Sequence, residues 1–196
     1  MKLARIFLDI LFPPRENEQL VRALSYEELQ THLSPIYVQP NVVALLPYRN
    51  SQVSALIQEA KFRDNLRAQE LLGHLLADYI QKEGLQEALI IPIPLSPERL
   101  RSRGYNQIER ILAAANIAYE SSVLVRTRNT APQTSLGAQE RRTNLRNAFL
   151  TQGVLISNKT YIVLDDVTTT GATLFSAMEA LKSAGAHEVR AITLAH

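Results

Sequence analysis

Tyr161-Ile162-Val163-Leu164-Asp165-Asp166-Val167-Thr168-Thr169-Thr170-Gly171-Ala172-Thr173 decides how the chain reads. Branched apolar residues leading into two acids suit a buried strand, and Gly171 with the threonines suits a tight turn into an amphipathic helix from Thr173 to Ala184. The turn therefore ends at a helix N-terminus. Unpaired N–H groups there carry partial positive charge and favour an anion, and threonine hydroxyls add donors without adding charge. A phosphate fits. If the strand runs through both acids, Asp165 and Asp166 point to opposite faces, one toward the ligand and one bracing the loop. Carboxylates beside a phosphate make sense when they meet hydroxyls, a metal ion or a developing cation, because two anions alone repel. An ordinary acidic turn before a capped helix needs neither two adjacent acids nor three consecutive threonines.

Outward from this segment, apolar and polar periods alternate. Leu3, Ile6, Phe7, Ile10 and Leu11 form a helical face over Lys2 to Phe12, closed by Pro13-Pro14. Ser25 with Glu28 resembles a capping box before a short helix, Tyr26 to Leu33. Strands are expected at 42–46, 88–93, 122–125, the Asp165 segment and 189–194. Helices are expected at 51–60, 66–81 and about 106–118. This alternation predicts an α/β fold with a doubly wound, mostly parallel sheet, residues 41–196, preceded by a small helical appendage, residues 1–40. Ligands of such sheets sit at the carboxyl ends of strands, where the acid pair and the turn at Pro92 to Pro94 belong.

The chain has 196 residues, 46% of them hydrophobic, enough to bury a proper core. Charge is uneven: residues 99–146 hold nine arginines against Glu109, Glu120 and Glu140, a net +6, whereas the whole chain carries only +2. Arginine suits a diphosphate because its planar fork donates parallel bonds and stays charged. A ligand clamp is the first reading of this cluster. A solvated surface comes second, for Arg99, Arg110 and Arg146, and a nucleic-acid face third, since few aromatics are interleaved. Residues 126–139 are polar, contain Pro132 and Gly137, and read as a long loop. No run approaches a membrane span and no export signal is apparent, so a cytoplasmic protein is expected. There is no cysteine, and His32, His74, His187 and His196 lack ligand spacing.

The segment Val163 to Thr173 resembles the phosphoribosyl pyrophosphate (PRPP) signature of type I phosphoribosyltransferases. Further stretches, Ile91-Pro92-Ile93-Pro94-Leu95, Arg103-Gly104-Tyr105-Asn106-Gln107, Pro132-Gln133-Thr134-Ser135-Leu136 and Arg141-Arg142-x-Asn144 with Ala148-Phe149, together with Lys61-Phe62-Arg63, are similar to the competence protein F (ComF) family, from about residue 40 onward. The resemblance implies a PRPP- or nucleotide-binding protein. Asp165 and Asp166 would hold the ribose hydroxyls and support an oxocarbenium-like sugar. Thr168, Thr169, Thr170, Gly171, Ala172 and Thr173 would hold the 5′-phosphate. Pro92, Ile93, Pro94, Arg103 and Gly104 would form the pyrophosphate side, and a loop carrying Arg126, Arg128 and Gln133 would close over it. Magnesium would arrive with PRPP, bound through ligand oxygens and reached by Asp165 or Asp166 through water. ComF proteins usually begin with a zinc-binding cysteine segment; without cysteines, no zinc is expected. The family implies either transfer of phosphoribose to a nitrogenous acceptor or a non-catalytic accessory role in DNA uptake or repair, with DNA or its uptake machinery as partner. The first 40 residues would form the acceptor hood.

Overall fold

The computed structural model describes residues 14–127, 148–156 and 158–196. The predicted helix at 2–12 and the site residues Arg128 and Gln133 lie outside them, as do Arg141, Arg142 and Arg146.

The central sheet has five strands in the order β1 (Ile36–Gln39), β2 (Val42–Leu46), β7 (Glu188–Ala195), β6 (Thr160–Val167), β3 (Leu89–Pro92). Only β1 runs antiparallel; the pairs β2–β7, β7–β6 and β6–β3 are parallel. This is the expected mostly parallel α/β sheet. Helices α1 (Glu16–Ala23), α2 (Tyr26–Thr31), α3 (Ser51–Arg63), α4 (Leu66–Lys82) and α6 (Gln107–Ala114) contribute to a core that includes Ile162 and Leu164 of β6. Helix α7 (Ala172–Ser183) covers the other face against Tyr161 and Val163, beside a separate hairpin of β4 (Leu124–Arg126) and β5 (Phe149–Thr151). Alternation along β6 thus feeds two distinct cores.

Several elements differ from the sequence reading. The strand predicted at 122–125 lies at 124–126 in the hairpin and not in the main sheet. β1, β5, α1 and α5 (Pro97–Arg103) were not legible by period: the strands are very short, and α5 has no buried residue to mark a face. Local chemistry nevertheless explains α5. Ser96 caps it by accepting from the Arg99 N–H, Pro97 opens it, and Gly104, at φ +84°, ends it. Of the expected capping box the Ser25 half forms, Ser25 accepting from the Glu28 N–H, while the Glu28 carboxylate accepts from Gln52. Among the described residues before β2, Val21, Leu24 and Leu29 are buried in the same core as β2 and α3, and β1 extends the sheet.

Helices α4 and α6 touch at Gly73, where an added Cβ would lie 2.7 Å from the Ala115 Cβ and 2.7 Å from the Ile111 carbonyl oxygen. Overpacking should outweigh the helix propensity gained by alanine. Gly73→Ala is expected to destabilise the fold by about 2 kcal/mol and lower the melting temperature by roughly 4–8 °C. A calorimetric scan giving a higher melting temperature would refute this close approach.

Candidate functional site

Strand β6 continues through both acids, so they do face opposite ways. Asp166 falls on the side of Ile162 and Leu164 and is only 4% exposed. Its carboxylate pairs at 2.6 Å with the ammonium of Lys61, on the last turn of α3. Asp165 falls on the side of Val163 and the hairpin, within electrostatic reach of Arg126. The backbone N–H of Asp166 donates to Oδ1 of Asp165, and that of Val167 to Oδ1 of Asp166. Burial and the neighbouring Asp166 raise the Asp165 carboxyl above the ordinary carboxylate range. Lys61 overcomes the burial of Asp166 and holds that carboxyl low. The adjacent acids are thereby made unlike, one paired with a fixed cation and held ionised, the other pushed toward its neutral form by burial.

After β6 the chain turns through Thr168 to Gly171. The Thr168 hydroxyl is buried and accepts from the Gly171 N–H at 2.8 Å, so it braces the loop from inside. Thr169 and Thr170 are exposed. Gly171 occupies the left-handed region at φ +71° and provides no side-chain cap to α7, leaving the first amides of that helix to other partners. Ala172 and Thr173 open the helix and are half-buried.

A basic wall stands near the acids. Arg103, at the end of α5, feels the Asp166 charge, lies 5.2 Å over the Phe62 ring and donates to Oε1 of the Gln107 side chain. Arg99 acts electrostatically on both Arg103 and Arg126, and burial makes the positive charge costly at each of those two. Arg99 itself is exposed, as its solvated reading had it, and its charge reaches the two half-buried arginines from that position. Arg126 also differs from expectation. It is not the start of a loop but the last residue of β4, pairing with Phe149, whose ring lies 5.4 Å from the guanidinium. The ladder and the ring hold it in the strand.

The wall is fastened to α3. Tyr105 accepts from the Asp64 N–H and donates to the Lys61 carbonyl, so the turn after α5 and the end of α3 move as one. Asn106 caps α6 and donates from Nδ2 to the Ile93 carbonyl. Pro92 closes β3, and the Ile93 N–H is spent on the Leu164 carbonyl, with the Ile93 side chain buried. Ile93 thus braces the turn, while Pro94 is half-exposed beyond it, and Gly104 is exposed at the end of α5. Among the described residues no group of three His, Cys, Asp or Glu side chains could hold a metal ion. Nor is any helix among them long and apolar enough to cross a membrane.

A parallel strand thus ends in an acid pair and leads through a threonine loop to a helix start, with Arg103 and Arg126 within electrostatic reach of the acids. Residues 63–196 match the phosphoribosyl transferase domain family. The chain belongs to the phosphoribosyltransferase family. Within it, the chain is 32% identical over 158 residues to competence protein F of Haemophilus influenzae, covering 73% of this chain and 67% of that protein. It is 30% identical over 145 residues to competence protein ComFC of Streptococcus pneumoniae, covering 74% and 64% respectively. It is 32% identical over 147 residues to the DNA utilization protein YhgH of Escherichia coli O157:H7, covering 70% and 64%. The chain thus spans about two thirds of the length of these relatives.

In this phosphoribosyltransferase-family chain, the fold brings together Asp165, Asp166, Thr168–Thr173, Arg103 and Arg126 from the sequence-level candidates. It adds three residues that the motif reading had not placed in a site. Lys61 sat in the Lys61-Phe62-Arg63 match without a role; Tyr105 sat in another; Gln39 lay in the preceding segment. A lysine at a helix end gives no sign in sequence of which carboxylate it will meet.

Proposed function

We propose that the chain binds PRPP and transfers its phosphoribosyl group to a nitrogenous acceptor, releasing pyrophosphate. The observation carrying this reading is the division of labour at the end of β6. Asp166 is fixed on Lys61, Asp165 is half-buried and within electrostatic reach of Arg126, and the threonine loop follows immediately.

In the reaction, the bond from the anomeric carbon to pyrophosphate breaks and a bond from that carbon to the acceptor nitrogen forms, with loss of the acceptor's proton. The exposed hydroxyls of Thr169 and Thr170, with the first amides of α7, would anchor the 5′-phosphate. Arg99, Arg103 and Arg126 would take the negative charge of the departing diphosphate in forked hydrogen bonds. Asp165, whose carboxyl of raised pKa would be drawn into its ionised form as positive charge grows on the sugar, would accept from the ribose hydroxyls. A magnesium ion carried by the ligand would meet Asp165 through its water shell and, when bound, would neutralise pyrophosphate. The segment before β2 is assigned the hood role, beside Phe62, whose ring is 59% exposed.

The relatives' names, competence protein and DNA utilization protein, favour a second reading: PRPP or nucleotide binding without turnover, in service of DNA uptake or repair. One experiment separates the two. Calorimetry with PRPP and magnesium should give binding, and a panel of nucleobases should then release pyrophosphate. Arg126→Ala is expected to slow that release about tenfold or more through lost charge stabilisation. Binding without release from any base favours the accessory role, and no binding overturns the site.

A further inference from the structure

Gln39 is held in an unusual position for a residue of an edge strand. The ladder between β1 and β2 pairs Ile36 with Ala44 and Tyr37 with Val43, then skips to Gln39 opposite Val42, leaving Val38 as an extra residue. A bulge of this kind re-aims the side chain that follows it. Here it sends the Gln39 carboxamide to the loop after β6. Nε2 donates to the Thr170 carbonyl at 2.6 Å, and the carboxamide lies 3.3 Å from where a Cβ on Gly171 would be.

The consequence follows from peptide geometry. In a trans peptide the C=O and N–H point in opposite directions, so holding the Thr170 carbonyl toward Gln39 aims the Gly171 N–H the other way. That N–H meets the Thr168 hydroxyl. At the loop's beginning, the Thr168 N–H donates to the Ala195 carbonyl, and the Thr168 carbonyl lies 2.9 Å from Nδ1 of His196. A carbonyl can only accept, so Nδ1 carries the hydrogen there. Carbonyls of the loop are thus taken up by protein donors, so they do not turn toward an incoming anion.

We infer that Gln39 is a positioning residue of the phosphate loop: its amide keeps the Thr170–Gly171 peptide in the orientation that accepts a sugar 5′-phosphate. This rests on the sugar-phosphate reading above. It also gives the strand before β2 a part in holding the donor, although Gln39 lies outside the residues that match the phosphoribosyl transferase domain family. A neutral donor suits the task. It fixes the carbonyl without adding a charge that would hold the phosphate after reaction, and pre-ordering the loop spares that cost at binding.

The test uses the full chain with Gln39→Met, which keeps length and loses the donor, and Gln39→Glu, which donates only when protonated. Amide hydrogen exchange of residues 168–173 is followed in ligand-free protein, and affinity for ribose 5-phosphate is measured by calorimetry. At neutral pH both variants should speed exchange in this loop about tenfold relative to the wild type, with the central strands unchanged. Affinity should fall about fivefold. Near pH 4, where a glutamate begins to protonate, Gln39→Glu should return toward the wild-type exchange measured at the same pH, and Gln39→Met should not. Unchanged loop exchange in Gln39→Met, or acceleration spread evenly over the sheet, overturns the inference. Should wild type bind no ribose 5-phosphate while the loop exchange responds as described, the positioning role stands and the sugar-phosphate reading falls.

Discussion

Replacing both acids, Asp165→Ala with Asp166→Ala, is expected to weaken PRPP binding about a thousandfold while leaving a folded protein. Hydrogen bonds from ribose hydroxyls to carboxylates are worth about 2 kcal/mol each, and two of them make roughly 4 kcal/mol, close to three decades in affinity. The fold tolerates the loss because of what remains. Removing Asp166 frees Lys61, but the Lys61 side chain is already 27% exposed and can turn its ammonium into water. Asp165 spends part of its free energy resisting burial, so its removal relieves a cost. Calorimetry with PRPP and magnesium, alongside a thermal melt, checks both halves. A double variant that binds as tightly as wild type would remove the acid pair from the site.

The converse change should be far more damaging to stability. Lys61→Met leaves the Asp166 carboxylate, 4% exposed, without its cation at 2.6 Å. Breaking a buried pair from this side strands a charge that cannot reach water, at a cost of about 3 kcal/mol. The pH dependence carries the sign. In wild type the folded Asp166 pKa is depressed, so its contribution to stability is present above the unfolded carboxylate range and is lost as pH falls through the folded value. Without Lys61, burial, the largest influence on that carboxyl, is opposed only by the weaker hydrogen bonds at Asp165 and Val167 and raises its pKa, so the folded variant binds a proton more readily than the unfolded chain. The deficit of Lys61→Met against wild type should therefore be largest at neutral pH and shrink toward pH 4. Adding Asp166→Asn should recover most of it. Denaturant titrations of the two single variants and the double variant form the cycle; an additive result would mean that the ion pair contributes nothing.

The two results together bear on how one strand end serves two purposes. Asp166 and Lys61 tie β6 to α3, and Tyr105 and Asn106 tie α3 and β3 to the arginine wall. A ligand that needed Asp166 would have to displace Lys61 or share its carboxylate with it. Asp165, half-buried and under the influence of Arg126, carries no such obligation.

Much of this architecture was legible before any fold was known. Leu164 to Thr173 announced a strand, a turn and a helix because each step has its own local chemistry: branched residues, then acids, then hydroxyls and a glycine free to take positive φ. Alternation along a strand even fixed that Asp165 and Asp166 diverge. Ser25 is a cap whose hydrogen bond stays within three residues, so sequence alone located it, whereas Ser96 and Asn106 cap just as locally without having been read as caps. β1 and β5 escaped for the opposite reason: four- and three-residue strands hold too few positions to show a period, and only pairing across the chain defines them.

By itself, then, the sequence determined the parallel α/β class, the threonine loop at a helix start and the divergence of the two acids, all consequences of interactions between near neighbours. Tertiary structure alone decided which partner each acid received, Lys61 for one and the Arg126 side for the other. It alone laid Gln39 against Gly171, 132 positions away by subtraction of the residue numbers. The physical reason is that periodicity and capping report on a residue's own segment. Charge pairing and peptide orientation instead depend on which distant segments the packing of α3, β1 and β4 around the sheet brings into contact.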